Sequence, residues 1–149
     1  MCVKSRSGHV ITLSGVPVLW GSKLQSEIAT STMHAEYVAL SMSMRELLPV
    51  KGILAEVATA FKIEKEQIAR VAQVWEDNQG ALKLATGPLL RVTPQSKNFA
   101  VKLHWFREIV EKENIDIDYI KSEKQKADIF TKGLAKQEFE KKRKMIMGW

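Results

Sequence analysis

A chain of 149 residues, 45% apolar and 27% charged, suffices for one ordinary domain with a buried core. Its 23 Lys and Arg against 17 Asp and Glu leave a net charge of +6, a balance that attracts polyanions and nucleic acid above all. A single cysteine excludes an internal disulfide, three scattered histidines exclude the usual structural zinc patterns, and no apolar run approaches the roughly 20 residues of a membrane span.

Residues 1–20 make a poor secretory signal, because Lys4, Arg6 and His9 are spread through them and Ser14-Gly15 breaks the apolar stretch. The phosphate-cradling Gly-Lys loop, the dinucleotide-binding glycine triplet and the serine elbow are all missing. No small-molecule cofactor and no membrane are therefore expected.

In chain order, residues 9–13 and 16–20 are short β-branched runs around Ser14-Gly15, which predicts a hairpin. Pro17 has no amide proton and belongs at an edge or a non-bonded position. A polar connection over 21–32 ends in good helix caps, and a helix follows over 31–48 with Ala35, Val38, Ala39 and Met42 on its stripe. Pro49 is expected to kink or end it, with a second helical segment over 50–61. Residues 71–75 read as a buried strand running into Glu76-Asp77-Asn78, then a short helix over 79–86 stops at Gly87-Pro88. A loop over 89–98 precedes a helix over 101–112. Residues 115–119 alternate strictly, as a half-exposed strand does. A charged loop over 121–126 leads to a last helix from Ala127 onward. The order β-β-α-β-α-α-β-α makes a mixed α/β domain.

Three carboxylates stand out. Glu36 borders the apolar stripe of the long helix, Asp77 sits at the carboxyl end of an apolar strand, and Asp128 lies between Ala127 and Ile129. Carboxylates beside apolar neighbours are costly to desolvate unless neutralised, and three from separate elements would attract a hard cation such as Mg²⁺. Two such ions would activate water and stabilise a leaving oxygen in phosphodiester cleavage. Each residue also has a plainer explanation: Asp77 as a helix cap, Asp128 as a first-turn residue favoured by the helix dipole, Glu36 as a solvated flank. His34 and His104, beside apolar helical residues, are expected to be packing histidines.

Six pieces then occur in order: Ser5-Arg6-Ser7-Gly8, Pro17-Val18-Leu19-Trp20, Ser22-Lys23, Ser31-Thr32-Met33-His34-Ala35-Glu36-Tyr37, Glu76-Asp77-Asn78-Gln79 and Ala127-Asp128-Ile129-Phe130-Thr131-Lys132. The ordered set resembles the ribonuclease H domain at the end of the Pol polyprotein of copia-type LTR retrotransposons. The resemblance implies an α/β fold of the ribonuclease H type, a mixed sheet flanked by helices. It also implies hydrolysis of the RNA strand of RNA–DNA hybrids during reverse transcription. It implies Mg²⁺, two ions in the family, held by four acidic residues, of which Glu36, Asp77 and Asp128 match three. By the same resemblance the partners are an RNA–DNA hybrid and the reverse transcriptase domain upstream, in a cytoplasmic particle or the nucleus. Ser31, Asn78, Lys97 and Asn98 are candidate nucleic-acid contacts, with Asn98 standing where the family usually has histidine.

One departure accompanies the match. The family's first, central strand and its first catalytic aspartate lie upstream of the Ser-x-Ser-Gly piece, and only Met1 to Lys4 precede Ser5 here. The expected domain, over 4–135, is therefore incomplete at its N-terminus, with a basic helix or tail over 136–149. The expectation is a module inactive by itself; the alternative is a hybrid-binding or structural remnant that does not catalyse. Losing about three buried apolar side chains would remove on the order of 5–9 kcal/mol, out of the roughly 5–15 kcal/mol that a domain holds. Marginal stability and an exposed sheet edge are thus expected as well.

Overall fold

The computed structural model describes residues 4–29, 31–63, 72–87 and 97–149, with 97–102 described by backbone alone. The chain opens with β1 (Arg6–Leu13) and β2 (Val16–Leu24), an antiparallel hairpin whose open end extends three residues further in β1 and four further in β2 than the β-branched runs suggest. Ser14 and Gly15 both have positive φ, 50° and 86°, the pair that a two-residue turn matching strand twist requires. The register slips between Ile11 and Thr12, which pair with Leu19 and Pro17. Val18 is the extra residue of a bulge, and this irregularity accommodates the proline.

Ser31 caps α1 (Thr32–Ala60) by accepting the amide of His34 at 3.1 Å. The helix continues through Pro49 to Ala60, so the proline does not end it. Pro49 itself is exposed. Beyond it the Lys51 ammonium bonds the Glu113 carbonyl and lies 4.0 Å from its carboxylate, fastening the later turns.

The strand β3 (Ala72–Glu76) pairs in parallel with β4 (Ile115–Tyr119), and between them come α2 (Gln79–Thr86) and α3 (Lys97–Lys112). β3 is not the buried strand expected. It alternates, with Trp75 50% exposed and Glu76 buried. The final helix does not start at Ala127 either. Two 3₁₀ turns, Ser122–Lys124 and Lys126–Phe130, come first, and α4 (Lys136–Met147) follows.

Among the described residues the strands form two separate two-stranded sheets, β1–β2 and β3–β4. The molecule is mixed α/β, consistent with a ribonuclease H-like fold. The core lies on the β3–β4 side, where Tyr37, Leu40 and Met44 of α1 meet Leu84, Phe106, Ile115 and Ile117. Tyr37 and Phe106 pack edge to face at 5.5 Å. No apolar side chain of the hairpin is fully buried.

Polar contacts bring the hairpin in instead. The buried Gln25 amide donates to Ser7 Oγ at 2.9 Å and to the Ala35 carbonyl at 2.8 Å. Gly8 provides the other junction, since a Cβ there would lie 2.7 Å from Phe130 Cβ. Only glycine allows β1 this close to the turn that carries Asp128.

Candidate functional site

The three sequence-selected carboxylates come from three elements. Glu36 is in the second turn of α1, Asp77 follows β3, and Asp128 is in the second 3₁₀ turn. The Gly8–Phe130 contact holds that turn against β1, and Ser22 Oγ donates to the Phe130 carbonyl from β2. On the other side Gly80 sits against Met33, where a Cβ would be 3.1 Å from the sulfur, so the start of α2 lies close to the start of α1.

Glu36 registers this convergence. Its pKa is raised, first by burial and then by the charges of Asp77 and Asp128, while Lys132 opposes them. The plain solvated-flank explanation of Glu36 therefore fails, since the residue is half-buried. A cavity of about 340 Å³ opens beside it, lined in part by Arg6, Ser31 and Thr32.

The cap explanation of Asp77 fails too. Asn78 caps α2, its Oδ1 accepting the Ala81 amide at 3.0 Å. Asn78 and Ser31, both candidate nucleic-acid contacts, thus spend a side-chain acceptor on a helix end. Lys97 and Asn98 stand at the start of α3, and their side chains lie outside the described residues. Of the two histidines expected to pack, His34 is partly buried but His104 is exposed on α3.

Asp128 is the most enclosed of the three, 8% exposed. Its Oδ2 lies 3.1 Å from the ammonium of Lys132 and 3.1 Å from that of Lys142. Lys142 is 1% exposed and donates also to the carbonyls of Ser122, at 2.8 Å, and Gln125, at 2.9 Å. One of the basic residues of the C-terminal segment is therefore internal. A second, Arg143, lies over the Trp149 ring at 5.1 Å.

Glu76 belongs beside this cluster and was passed over in the sequence. Its pKa is pushed up to about 7, chiefly by burial; the Asn78 amide bond, 2.9 Å to Oε1, opposes the shift and the charges of Glu36 and Asp77 add to it. The available signal was the alternation of β3, which points Glu76 to the opposite side from Trp75.

The donor chemistry suits a hard divalent cation, but the arrangement does not. Among the described residues no three carboxylate, imidazole or thiolate groups come together closely enough to share a metal ion. Asp128 is engaged by two ammonium groups instead. As arranged, the site does not fit a metal.

Comparison with known proteins finds relatives over nearly the whole chain. It is 32% identical over 137 residues, 92% of its length, to the retrovirus-related Pol polyprotein from transposon TNT 1-94 of Nicotiana tabacum, covering 10% of that protein. It is 25% identical to the retrovirus-related Pol polyprotein from transposon RE1 of Arabidopsis thaliana and 26% identical to that from transposon RE2, in each case over 136 residues, 91% of this chain and 9% of the relative. The chain thus spans about a tenth of the length of these polyproteins. No family model and no solved structure matches it.

Proposed function

Starting from homology to plant copia-type transposon Pol polyproteins, we propose that this chain is a ribonuclease H-like module of such a polyprotein. Its substrate class is the RNA–DNA hybrid and its working partner the reverse transcriptase domain; Mg²⁺ is the cofactor that the family resemblance implies, and the arrangement of the described residues does not accommodate it. The observation that supports this reading is electrostatic. Glu36, Asp77 and Asp128, the three carboxylates matching the family's catalytic positions, come from separate elements, and the pKa of Glu36 responds to the other two.

By itself the chain binds hybrid without cutting it. Mg²⁺, when bound, supplies charge neutralisation and an activated water in such enzymes, but among the described residues no three donors close on one ion. What the chain's own residues supply is a net charge of +6. Exposed Lys136, Lys141 and Lys144 on α4 contribute to it.

The test is a labelled RNA–DNA hybrid with the full chain in Mg²⁺, for both binding and cleavage. The comparison set is Asp77→Asn and a fusion carrying an aspartate-bearing strand of the family's type at the N-terminus. The expected result is salt-sensitive binding without cleavage by the chain, and cleavage by the fusion that Asp77→Asn abolishes. Cleavage by the chain itself, lost in Asp77→Asn, would show that the three carboxylates suffice. The second reading, a binding remnant with no catalytic capacity, is favoured by the net charge of +6. It predicts binding by both forms and cleavage by neither. Absence of binding to the hybrid contradicts both readings.

A further inference from the structure

The C-terminal elements carry charge and aromatic surface that the acidic centre leaves unused. Residues 121–149 hold nine Lys and Arg against four Asp and Glu, most of the net charge of +6. Asp128 and Lys142 neutralise one another in the interior, so the excess falls on the remaining side chains. Among these, Lys136, Lys141 and Lys144 are exposed on α4. We propose that α4 is a contact for single-stranded nucleic acid, in which the Trp149 ring stacks on an unpaired base and the lysines meet the phosphates.

The geometry at the end of α4 builds the stacking surface. Gly148 takes a left-handed φ of 82°, and its amide donates to the Lys144 carbonyl at 2.8 Å, a helix stop that turns the chain back. The turn lays the Trp149 ring over Arg143, whose guanidinium carbon is 5.1 Å from the ring centroid. Arg143 covers one face of the indole while Trp149 stays 67% exposed, which leaves the other face open. Phe139, one turn before Arg143 on the same side of the helix, is exposed as well. Lys142, bonded to the Ser122 and Gln125 carbonyls, fixes α4 beneath this surface. A ring already oriented by a cation loses less freedom when a base stacks on it.

Positive charge alone attracts any polyanion. An exposed, oriented ring beside that charge selects nucleic acid, because every base offers a flat π-face and an acidic polypeptide does not. The ring also selects an unpaired strand, since a base within a duplex has both faces covered by its neighbours. Lys141 and Lys144, three residues apart, share one face of α4, and Lys144 follows Arg143 directly, so phosphate-binding charge adjoins the ring. The inference concerns α4 and draws nothing from Glu36 or Asp77.

The experiment measures fluorescence anisotropy of a labelled oligothymidylate of about 20 nucleotides with the full chain, at several salt concentrations. A blunt-ended RNA–DNA hybrid is measured in parallel. The variants are Trp149→Ala, Trp149→Tyr and the pair Lys141→Gln with Lys144→Gln, all at exposed positions, with circular dichroism to confirm the fold. Trp149→Ala should weaken oligothymidylate binding by roughly tenfold with an unchanged salt slope, and Trp149→Tyr should restore most of it. The lysine pair should weaken binding and lower the salt slope by about 1.4. Hybrid binding should not change in Trp149→Ala. Oligothymidylate binding that depends on Trp149 supports the inference even where the hybrid is not bound, a result that counts against the proposed function alone. No binding of oligothymidylate, or binding indifferent to Trp149→Ala, overturns the inference. So does an equal loss on the hybrid, which would make Trp149 a structural residue. Displacement of oligothymidylate by polyglutamate of equal charge would point to an acidic protein partner and overturn it too.

Discussion

Glu76 and Asp77 are sequence neighbours in different surroundings. Glu76 ends β3 on its inward side and is 5% exposed, whereas Asp77 has left the strand and is half-buried. Burial, with Glu36 and Asp77 adding, raises the Glu76 pKa from 4.5 to about 7. A raised carboxylate pKa means that the folded protein holds a proton that the unfolded chain releases in this interval. The Glu76 contribution to stability is therefore fully present below about pH 4.5 and is lost as pH rises through about 7. By pH 8 the loss is on the order of 3 kcal/mol. Glu76→Gln retains an acceptor for the Asn78 amide and removes the charge. Its melting temperature is expected to match wild type near pH 5 and to exceed it at pH 8. Parallel pH profiles for the two proteins would show that Glu76 is not desolvated as described. His9 does not confuse the comparison: burial lowers its pKa, opposed by Glu46, and it titrates alike in both proteins.

At the level of elements, α4 buries two side chains, Ile146 and, in an unusual location for a charge, Lys142. Lys142 is the polar anchor joining α4 to both 3₁₀ turns. Lys142→Met leaves Asp128 with the exposed Lys132 as its ammonium partner and leaves two carbonyls without their donor. The expected loss is about 3 kcal/mol, measured as a lower urea midpoint. Lys132→Gln, by contrast, should change stability by less than about 1 kcal/mol, because that pair faces water. Equal effects would mean that Asp128 does not distinguish its two partners. Pro49 gives a second lesson at this scale. A proline inside α1 removes one amide donor, yet the helix continues past it, and Lys51 ties the following turn to Glu113.

At the scale of the molecule, the apolar core and the hairpin are held by different forces. The core gathers α1, α2, α3 and β4 around Tyr37 and Phe106. The hairpin presents Val16, Val18 and Trp20 to solvent and is joined through Gln25, Gly8 and Ser22. Polar junctions of this kind are worth about 1 kcal/mol each, so the hairpin should open before the core does. Native-state hydrogen exchange should give hairpin amides opening free energies at least about 2 kcal/mol below those of α1 and α3. Uniform protection across both would show that the two halves unfold as one unit.

Much of this architecture was legible in local patterns. The element order, the turn at Ser14-Gly15, the bounds of α2 and the alternation of β4 follow from turn chemistry, capping and periodicity, which act over a few residues. The ordered motif set likewise pointed to retrotransposon Pol. Local patterns did not reveal that Glu76 is buried, that Asn78 rather than Asp77 caps α2, or that Lys142 of the basic C-terminal segment turns inward. Desolvation and ion pairing depend on which segments approach one another across the fold. Gly8 against Phe130 and Lys142 against Asp128 are such approaches, and no single stretch of sequence encodes either one. Residue type and order determined which carboxylates were available; tertiary packing decided which of them lose water, which feel one another, and which lysine each one meets.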